Sequence, residues 1–393
     1  MNNDIQFNFT TLPPLALYIH IPWCVRKCPY CDFNSHTAQD TIPEKDYVAA
    51  LLADLEQELP DIWGRTVQSL FIGGGTPSVF SPESIDELLN GIRARATVKP
   101  NAEITLEANP GTVEQQKFHE FKAAGINRLS IGIQSFNNDS LQRIGRIHGR
   151  RESIQAAEAA HATGFENFNL DLMFGLPDQS RPEAMEDLQT AIDLEPSHIS
   201  WYQLTIEPNT YFHHCPPILP DDDVLWDTQQ TGQLRLREQG YTQYEVSAYA
   251  RDGWQCAHNL NYWRFGDYLG IGAGAHGKIT SAAGQSITRR RKWKSPGDYL
   301  AARHNRKFVS GTQCLSAPDT QFEFLLNALR LNSGFTPQDF ETATGLPFAE
   351  VQHSLIQQAE RGLLVMEERI KTTAEGRQFL NELLECFLPD DAE

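Results

Sequence analysis

Six times between residues 15 and 206, a short apolar run of strand length is followed by a longer segment whose apolar positions recur with helical spacing. The strands expected are 15–21, 67–72, 103–108, 128–134, 167–174 and 198–206. The punctuation agrees: Ser81 and Pro82 form a helix start, and Gly125 and Gly164 follow the last helical positions, where a left-handed residue ends a helix. Such alternation suits right-handed crossovers in a parallel sheet. Six units are two short of a complete eightfold barrel. In sheets of this kind a ligand sits at the carboxyl ends of the strands, so chemistry is sought in the loops that follow them.

The first of those loops holds Cys24, Cys28 and Cys31, in the spacing C-x3-C-x2-C. Thiolates this close in sequence can face one small object, and soft sulfur favours iron–sulfur clusters, zinc or copper(I). A cubane cluster usually takes four thiolates, so three would leave one iron open for an outside ligand. A three-thiolate zinc site and a disulfide with a spare thiol are the competing readings. The chain has seven cysteines, and an odd number with three clustered points to a reducing compartment and metal ligation. Cys215, Cys256, Cys314 and Cys386 are expected mostly as small buried hydrophobes.

A formal net charge of −18 argues against a nucleic-acid partner, because a phosphate backbone is held by surplus Lys and Arg. The local exception is Arg289-Arg290-Arg291-Lys292-Trp293-Lys294, read as a solvated surface segment or, more sharply, as a partner for carboxylates such as porphyrin propionates. Residues 1–9 carry neither a basic nor an apolar stretch of signal type, and no run reaches the roughly 18–20 apolar residues that span a bilayer. Beyond residue 208 a polar, proline-rich connection leads to a helix at 224–239, an aromatic strand-like run at 241–249 and the loop His258-Asn259-Leu260-Asn261-Tyr262-Trp263. Gly270 to Gly277 reads as a tight turn packed on the barrel. The order helix, helix, hairpin, helix after residue 320, closing with a helix at 373–388, suggests a winged-helix-like module used for packing or partner docking.

The motifs at the strand ends carry a resemblance. Beside the cysteine loop stand Gly73-Gly74-Gly75-Thr76-Pro77-Ser78, Leu106-Glu107-Ala108-Asn109-Pro110, Gly132-Ile133-Gln134-Ser135-Phe136, residues 143–148, and the run from Asn169 to Pro177. With these the chain resembles, over nearly its whole length, the coproporphyrinogen dehydrogenase branch of the radical S-adenosylmethionine (SAM) family. The resemblance implies an α/β fold: a partial six-stranded (β/α)6 barrel over residues 1–208, a connecting region at 209–310 and a C-terminal α+β, winged-helix-like domain at 311–393. It also implies a [4Fe-4S] cluster on Cys24, Cys28 and Cys31, with SAM on the open iron. Tyr18, Gly74, Gly75 and Glu107 would contact that SAM, the glycine backbone holding its methionine ammonium. Thr76, Pro77, Gln134, Arg146 and Asp171 match positions that line a second SAM site.

Two features separate the branches. The porphyrinogen-oxidising members carry a fourth cysteine two residues after the third, where this chain has Phe33. The H-N-x-x-Y-W run at 258–263 is a signature of the haem-chaperone members, and it makes His258, Asn259, Tyr262 and Trp263 the candidate haem contacts. His20, beside the cysteine loop, is expected to orient the site. The resemblance thus implies a cytoplasmic haem chaperone, working peripherally at the inner membrane face. It would pass haem to a haem-requiring acceptor such as a membrane respiratory enzyme, take electrons for its cluster from a donor protein, and leave a homodimer open. Oxygen-independent coproporphyrinogen III dehydrogenation is the alternative.

Overall fold

Strand β1 (Leu15–Ile21) shows how residue order builds the molecule. Leu15, Leu17, Ile19 and Ile21 point to one face and are fully buried, while Tyr18 and His20 point to the other. The computed structural model, which describes residues 6–38 and 41–389, repeats this sorting in five further strands. These are β2 (Thr66–Gly74), β3 (Thr97–Ala108), β4 (Arg128–Gln134), β5 (Phe168–Phe174) and β6 (His198–Gln203). They pair in parallel in sequence order. Leu70, Ile72, Leu106, Ile131, Leu172 and Trp201 face the surrounding helices in the main apolar core. The opposite set, which includes Ser69, Glu107, Ser130, Asn169, Asp171 and His198, lines a polar barrel interior. The partial (β/α)6 barrel is therefore present, and its helices turn apolar stripes to the sheet, as Glu44–Glu58 does with Tyr47, Val48, Leu51 and Leu55. One short helix, Asn138–Arg143, capped by Asn137, was absent from the pattern-based expectation.

The sheet does not stop at six strands. Past β6 an antiparallel hairpin, β7 (Thr242–Glu245) and β8 (Ala248–Ala250), joins through β8. Past β1 comes β9 (Asp267–Ile271) in parallel, then antiparallel β10 (His276–Ser281), β11 (Ser286–Lys292) and β12 (Val309–Cys314), giving a twelve-stranded sheet. The segment expected as a tight turn, Gly270 to Gly277, is thus the end of one strand and the start of the next. Its glycines hid the strand signal: a Cβ on Gly270 would lie 1.9 Å from the His276 carbonyl oxygen, so only glycine lets the two backbones approach.

The loop expected at His258 to Trp263 is a helix, Ala257–Trp263. Two asparagines make it a poor helix former, and the stabilising contact comes from far away in sequence. The Glu103 carboxylate accepts from the backbone N–H groups of Ala257 and His258 at 3.1 and 3.0 Å, satisfying donors that an isolated helix start leaves open. In the C-terminal part, helices Ala317–Ala328, Pro337–Thr344 and Ala349–Glu360 and the hairpin Leu364–Met366 with Ile370–Thr372 enclose a second apolar core. The single helix expected at 373–388 is two, Ala374–Gln378 and Leu380–Glu385, broken at non-helical Phe379 so that Leu380, Leu383 and Leu384 turn inward. Of the scattered cysteines only Cys256 is buried; Cys215, Cys314 and Cys386 are exposed.

The basic run is divided between interior and solvent: Lys292 is buried, Arg289 and Arg290 are half-buried, and Arg291, Trp293 and Lys294 are exposed. It forms the end of β11, and alternation turns Arg290 and Lys292 onto the helix Glu44–Glu58. The Lys292 ammonium, 2% exposed, meets Asp54 at 2.5 Å and Glu58 at 2.6 Å; Arg290 pairs with Glu58 and Asp61, and Arg289 with Glu323. The hydropathy of the run concealed this, because the carboxylates that Arg290 and Lys292 meet lie more than 200 residues upstream. Removing one partner of such a network strands the others without water. Lys292→Met is therefore expected to cost about 3–5 kcal/mol of unfolding free energy. Urea denaturation checks it, and a loss below about 1 kcal/mol would show that Asp54 and Glu58 are not dependent on Lys292.

Candidate functional site

The cysteine loop leaves β1 at Pro22 and is tied shut by a two-residue parallel pairing of Trp23–Cys24 with His36–Thr37. The His36 amide donates to the Pro22 carbonyl at 2.7 Å and the Ala38 amide to the Cys24 carbonyl at 3.0 Å. A tight turn brings the Cys31 amide to the Cys28 carbonyl at 3.2 Å. The loop rests on the glycine end of β2. The Gly75 and Thr76 amides donate to the Ile21 and Trp23 carbonyls at 2.8 Å, and a Cβ on Gly75 would stand 2.5 Å from the Trp23 oxygen. Gly74, at φ +121°, holds a conformation open to glycine. The triplet therefore seats the cysteine loop, and the space a side chain would fill is already taken by the chain itself.

Above the barrel these parts enclose a cleft of about 450 Å³. Cys24, Cys28, Cys31, Gly74, Gly75, Thr76, Glu107, Gln134, Arg146 and Asp171 all line it, and with Asn259 and Trp263 they bring twelve residues singled out on sequence grounds to one place. Pro77 does not; it begins a buried turn, Pro77–Val79. Tyr18 lines a neighbouring cavity on the far side of the loop, together with His20, Phe33, Tyr262 and His276. His20 lies with Nδ1 3.0 Å from the Tyr18 hydroxyl and Nε2 2.9 Å from the Asn34 carbonyl. Burial pushes its imidazole down to about 4, so it is neutral, donates from Nε2 and fixes the Tyr18 hydroxyl.

The cleft walls are charged in a useful way. Burial, then the Asp171 carboxylate, pushes the Glu107 carboxyl up to about 8, against the Gly74 amide that donates to it at 2.9 Å. Asp171 is also pushed up by burial, while Ser130 and Asn169 donate to it at 3.1 and 2.7 Å. Arg146 donates to the Asn109 amide oxygen at 2.7 Å, the Gly132 carbonyl at 2.6 Å and the Cys28 sulfur at 3.7 Å. These acceptors leave its charge uncompensated by carboxylate, as a site for an anionic group requires. Gln134 sits at φ +70°, a strained value for a non-glycine residue, and the Tyr202 hydroxyl donates to its side-chain oxygen at 2.8 Å.

The three thiols are free and share one wall. A single zinc ion gathers its ligands to about 2.0–2.3 Å from one point. Thiolates on a multi-iron cluster each hold a separate iron, and three soft donors along one loop suit that arrangement.

The floor of the barrel holds the H-N-x-x-Y-W helix. Asn259 and Trp263 reach the cleft from below, and Arg330, from the C-terminal part, stacks on the Trp263 ring at 4.3 Å. His258 reaches neither cavity. It is 1% exposed, with Nδ1 3.1 Å from the Ser69 hydroxyl and its ring against Phe71 and Tyr262. Burial and the buried Arg128 push it down to about 3, and its Nε2 has no hydrogen-bond partner. Asn109, Tyr202 and Arg330 went unassigned in the sequence. Asn109 stands in a quoted motif and Tyr202 at the end of a strand, so position could have marked both; nothing local marks Arg330.

Residues 18–191 match the Radical SAM superfamily and residues 315–379 the HemN C-terminal domain. The chain is 50% identical over 380 residues to the heme chaperone HemW of Escherichia coli (strain K12), covering 96% of this chain and 99% of that one. It is 52% identical over 385 residues to the heme chaperone HemW of Haemophilus influenzae, covering 97% and 99%. Its fold matches that of coproporphyrinogen III oxidase (HemN) from Escherichia coli with a TM-score of 0.81 at 24% identity, over 96% of this chain and 90% of that one.

The raised Glu107 carboxyl has a consequence for stability. Between the unfolded value of about 4.3 and the folded value of about 8 the folded chain binds more protons, so this residue's contribution falls as pH rises. Glu107→Gln removes that dependence. Its stability relative to the parent should increase from pH 5 to pH 8 and level off above, read as urea midpoints of the ligand-free proteins. Parallel pH curves for the two would rule out the raised carboxyl.

Proposed function

Since the chain belongs to the HemW group of the radical SAM superfamily, we propose that it binds haem and hands it to a haem-requiring acceptor. The observation that carries this is full-length identity of 50% and 52% to two proteins named as haem chaperones. Phe33 supports it, since a benzyl ring stands where the porphyrinogen-oxidising branch has its fourth cysteine.

Cys24, Cys28 and Cys31 would hold a [4Fe-4S] cluster with one iron left for SAM, and that pair supplies one-electron chemistry when bound. The chain's own residues bind and orient. Arg146 offers its guanidinium to a carboxylate, and Glu107 accepts from an ammonium or a ribose hydroxyl, losing its extra proton as a cation approaches. Asp171 and Gln134 accept from further hydroxyls, and Asn109 ties Thr76, at 2.9 Å, to Arg146. Tyr18, held by His20, closes the rear of the site. Among the described residues no helix is long and apolar enough to cross a membrane. A respiratory acceptor would then be met from the cytoplasmic face, with a separate protein supplying electrons. One or two chains could form the working unit, which sedimentation of the reconstituted protein would decide.

The dehydrogenase alternative is favoured only by the assembly of its SAM-site positions around one cleft. The two readings divide on a single assay. The anaerobically reconstituted chain, loaded with haem, should pass it to an apo-haemoprotein in stoichiometric amount and leave coproporphyrinogen III unchanged. Formation of protoporphyrinogen, without haem transfer, would reverse the assignment. Separately, Cys28→Ser should lose the cluster's visible absorption while far-ultraviolet circular dichroism is unchanged. A full complement of iron and sulfide in that variant would remove the cysteine loop from cluster binding.

A further inference from the structure

Gln134 lines the cleft on a backbone shape that a glutamine rarely takes. The pairing of β4 with β5 slips at this point: Gly132 stands opposite Asp171, and Gln134 rather than Ile133 stands opposite Leu172. One residue of β4 is therefore extra, and Gln134 closes the bulge at φ +70°. Such bulges re-aim a side chain beside a site. We propose that Asp187 is a positioning residue of the cleft: its ionised carboxylate fastens the turn after β4 and so keeps Gln134 aimed at bound SAM. The proposal rests on the SAM-binding reading of the cleft and adds a residue, behind its walls, on which that binding depends.

Asp187 is a charged group on an apolar stripe. It lies on the helix Arg181–Asp193 among the buried Ala184, Leu188 and Ala191, and is 3% exposed. A carboxylate there is costly without partners, so its partners identify its work. They all lie in the two turns that follow β4 and β5. The Ser135 hydroxyl donates to one carboxylate oxygen at 2.5 Å, and the Phe136 amide donates to the other at 2.6 Å. Ser135 Oγ in turn accepts from the Asn137 amide at 2.9 Å. Gln179 approaches the first oxygen at 3.5 Å, while its own side-chain oxygen accepts from the Leu176 amide at 3.1 Å. One carboxylate thus holds the turn beside Gln134 and touches the turn after the strand that carries Asp171.

The rest of the bulge is anchored from other sides. Arg146 donates to the Gly132 carbonyl at 2.6 Å, and His148 Nε2 donates to the Ile133 carbonyl at 3.0 Å. Past Gln134 the anchors are Asp187 and Arg150, which donates to the Phe136 carbonyl at 3.3 Å. Burial pushes the Asp187 carboxyl up to about 6, against the Ser135 and Phe136 donors; Glu186 adds to the rise and Arg150 opposes it. Ionised, the group accepts from both donors at once. Protonated, it carries a hydrogen on one oxygen, and the Ser135 hydroxyl has to turn from donor to acceptor. The hold on the turn is therefore present above about pH 6 and weakens as pH falls through that value.

The test is equilibrium dialysis of radiolabelled SAM against the full, anaerobically reconstituted chain between pH 5.5 and pH 7.5, beside Asp187→Asn, Ser135→Ala and Gln134→Ala. Asparagine has the shape and charge of the protonated carboxyl. Asp187→Asn should therefore bind roughly tenfold more weakly than the parent at pH 7.5 and only about threefold more weakly at pH 5.5, where most of the parent carboxyl is protonated. Ser135→Ala should show a similar loss at pH 7.5, and it carries the test if Asp187→Asn misfolds. In a Gln134→Ala background Asp187→Asn should cost little more, because the carboxylate acts through that side chain; a general loosening of the fold would still add its own loss. Parental affinity in Asp187→Asn, parallel pH curves, or a fully additive loss beside Gln134→Ala would overturn the role of Asp187 while leaving SAM in the cleft. Absence of saturable SAM binding by the parent would overturn both.

Discussion

The arrangement of the site depends on how closely the glycine end of β2 passes the start of the cysteine loop. Amides of Gly75 and Thr76 bond the carbonyls of Ile21 and Trp23, and no side chain could stand between them. This contact places a short, cysteine-rich segment across the carboxyl end of the barrel. Glu107, Gln134 and Asp171 project from neighbouring strand ends below it, and Arg146 closes in from the loop after β4. A side chain at position 75 would push the loop away from all of them at once. The glycine triplet thus acts on the site through packing, with Gly74 adding a hydrogen bond to Glu107.

A second constraint follows from the polar barrel interior. Side chains that alternate inward from six strands bring Ser69, Glu103, Arg128, Asn169 and His198 together where water is scarce, and each needs partners. Asn169 and Tyr244 bond the two nitrogens of His198 at 2.6 and 2.8 Å, and Glu103 caps the helix that plugs the floor. That helix presents Asn259 and Trp263 upward and keeps His258 below. A histidine attractive as an iron ligand in a linear motif is here a neutral member of a polar floor.

The charge distribution repeats this lesson. The chain is strongly acidic, yet its one basic run is divided by strand alternation between a buried ion-pair network and an open face. Arg290 and Lys292 hold β11 to the first helix, while Arg291 and Lys294 remain available. Counting cations along the sequence sees one patch; the fold makes two, with different work.

The residue order alone determined the six strand-and-helix units, the cysteine spacing and the position of the motifs at strand ends, because these are local matters of period, turn chemistry and ligand distance along the chain. It was also enough to draw together ten of the cleft residues, since parallel strands bring their carboxyl ends to one side. Tertiary structure decided what depends on partners distant in sequence. Glu103 made a helix of 257–263, Asp54 and Glu58 buried Lys292, and the approach of Gly270 to His276 turned an apparent loop into two strands. Those outcomes rest on hydrogen bonds, charge pairs and backbone clearances between segments far apart in the chain, which no local pattern encodes.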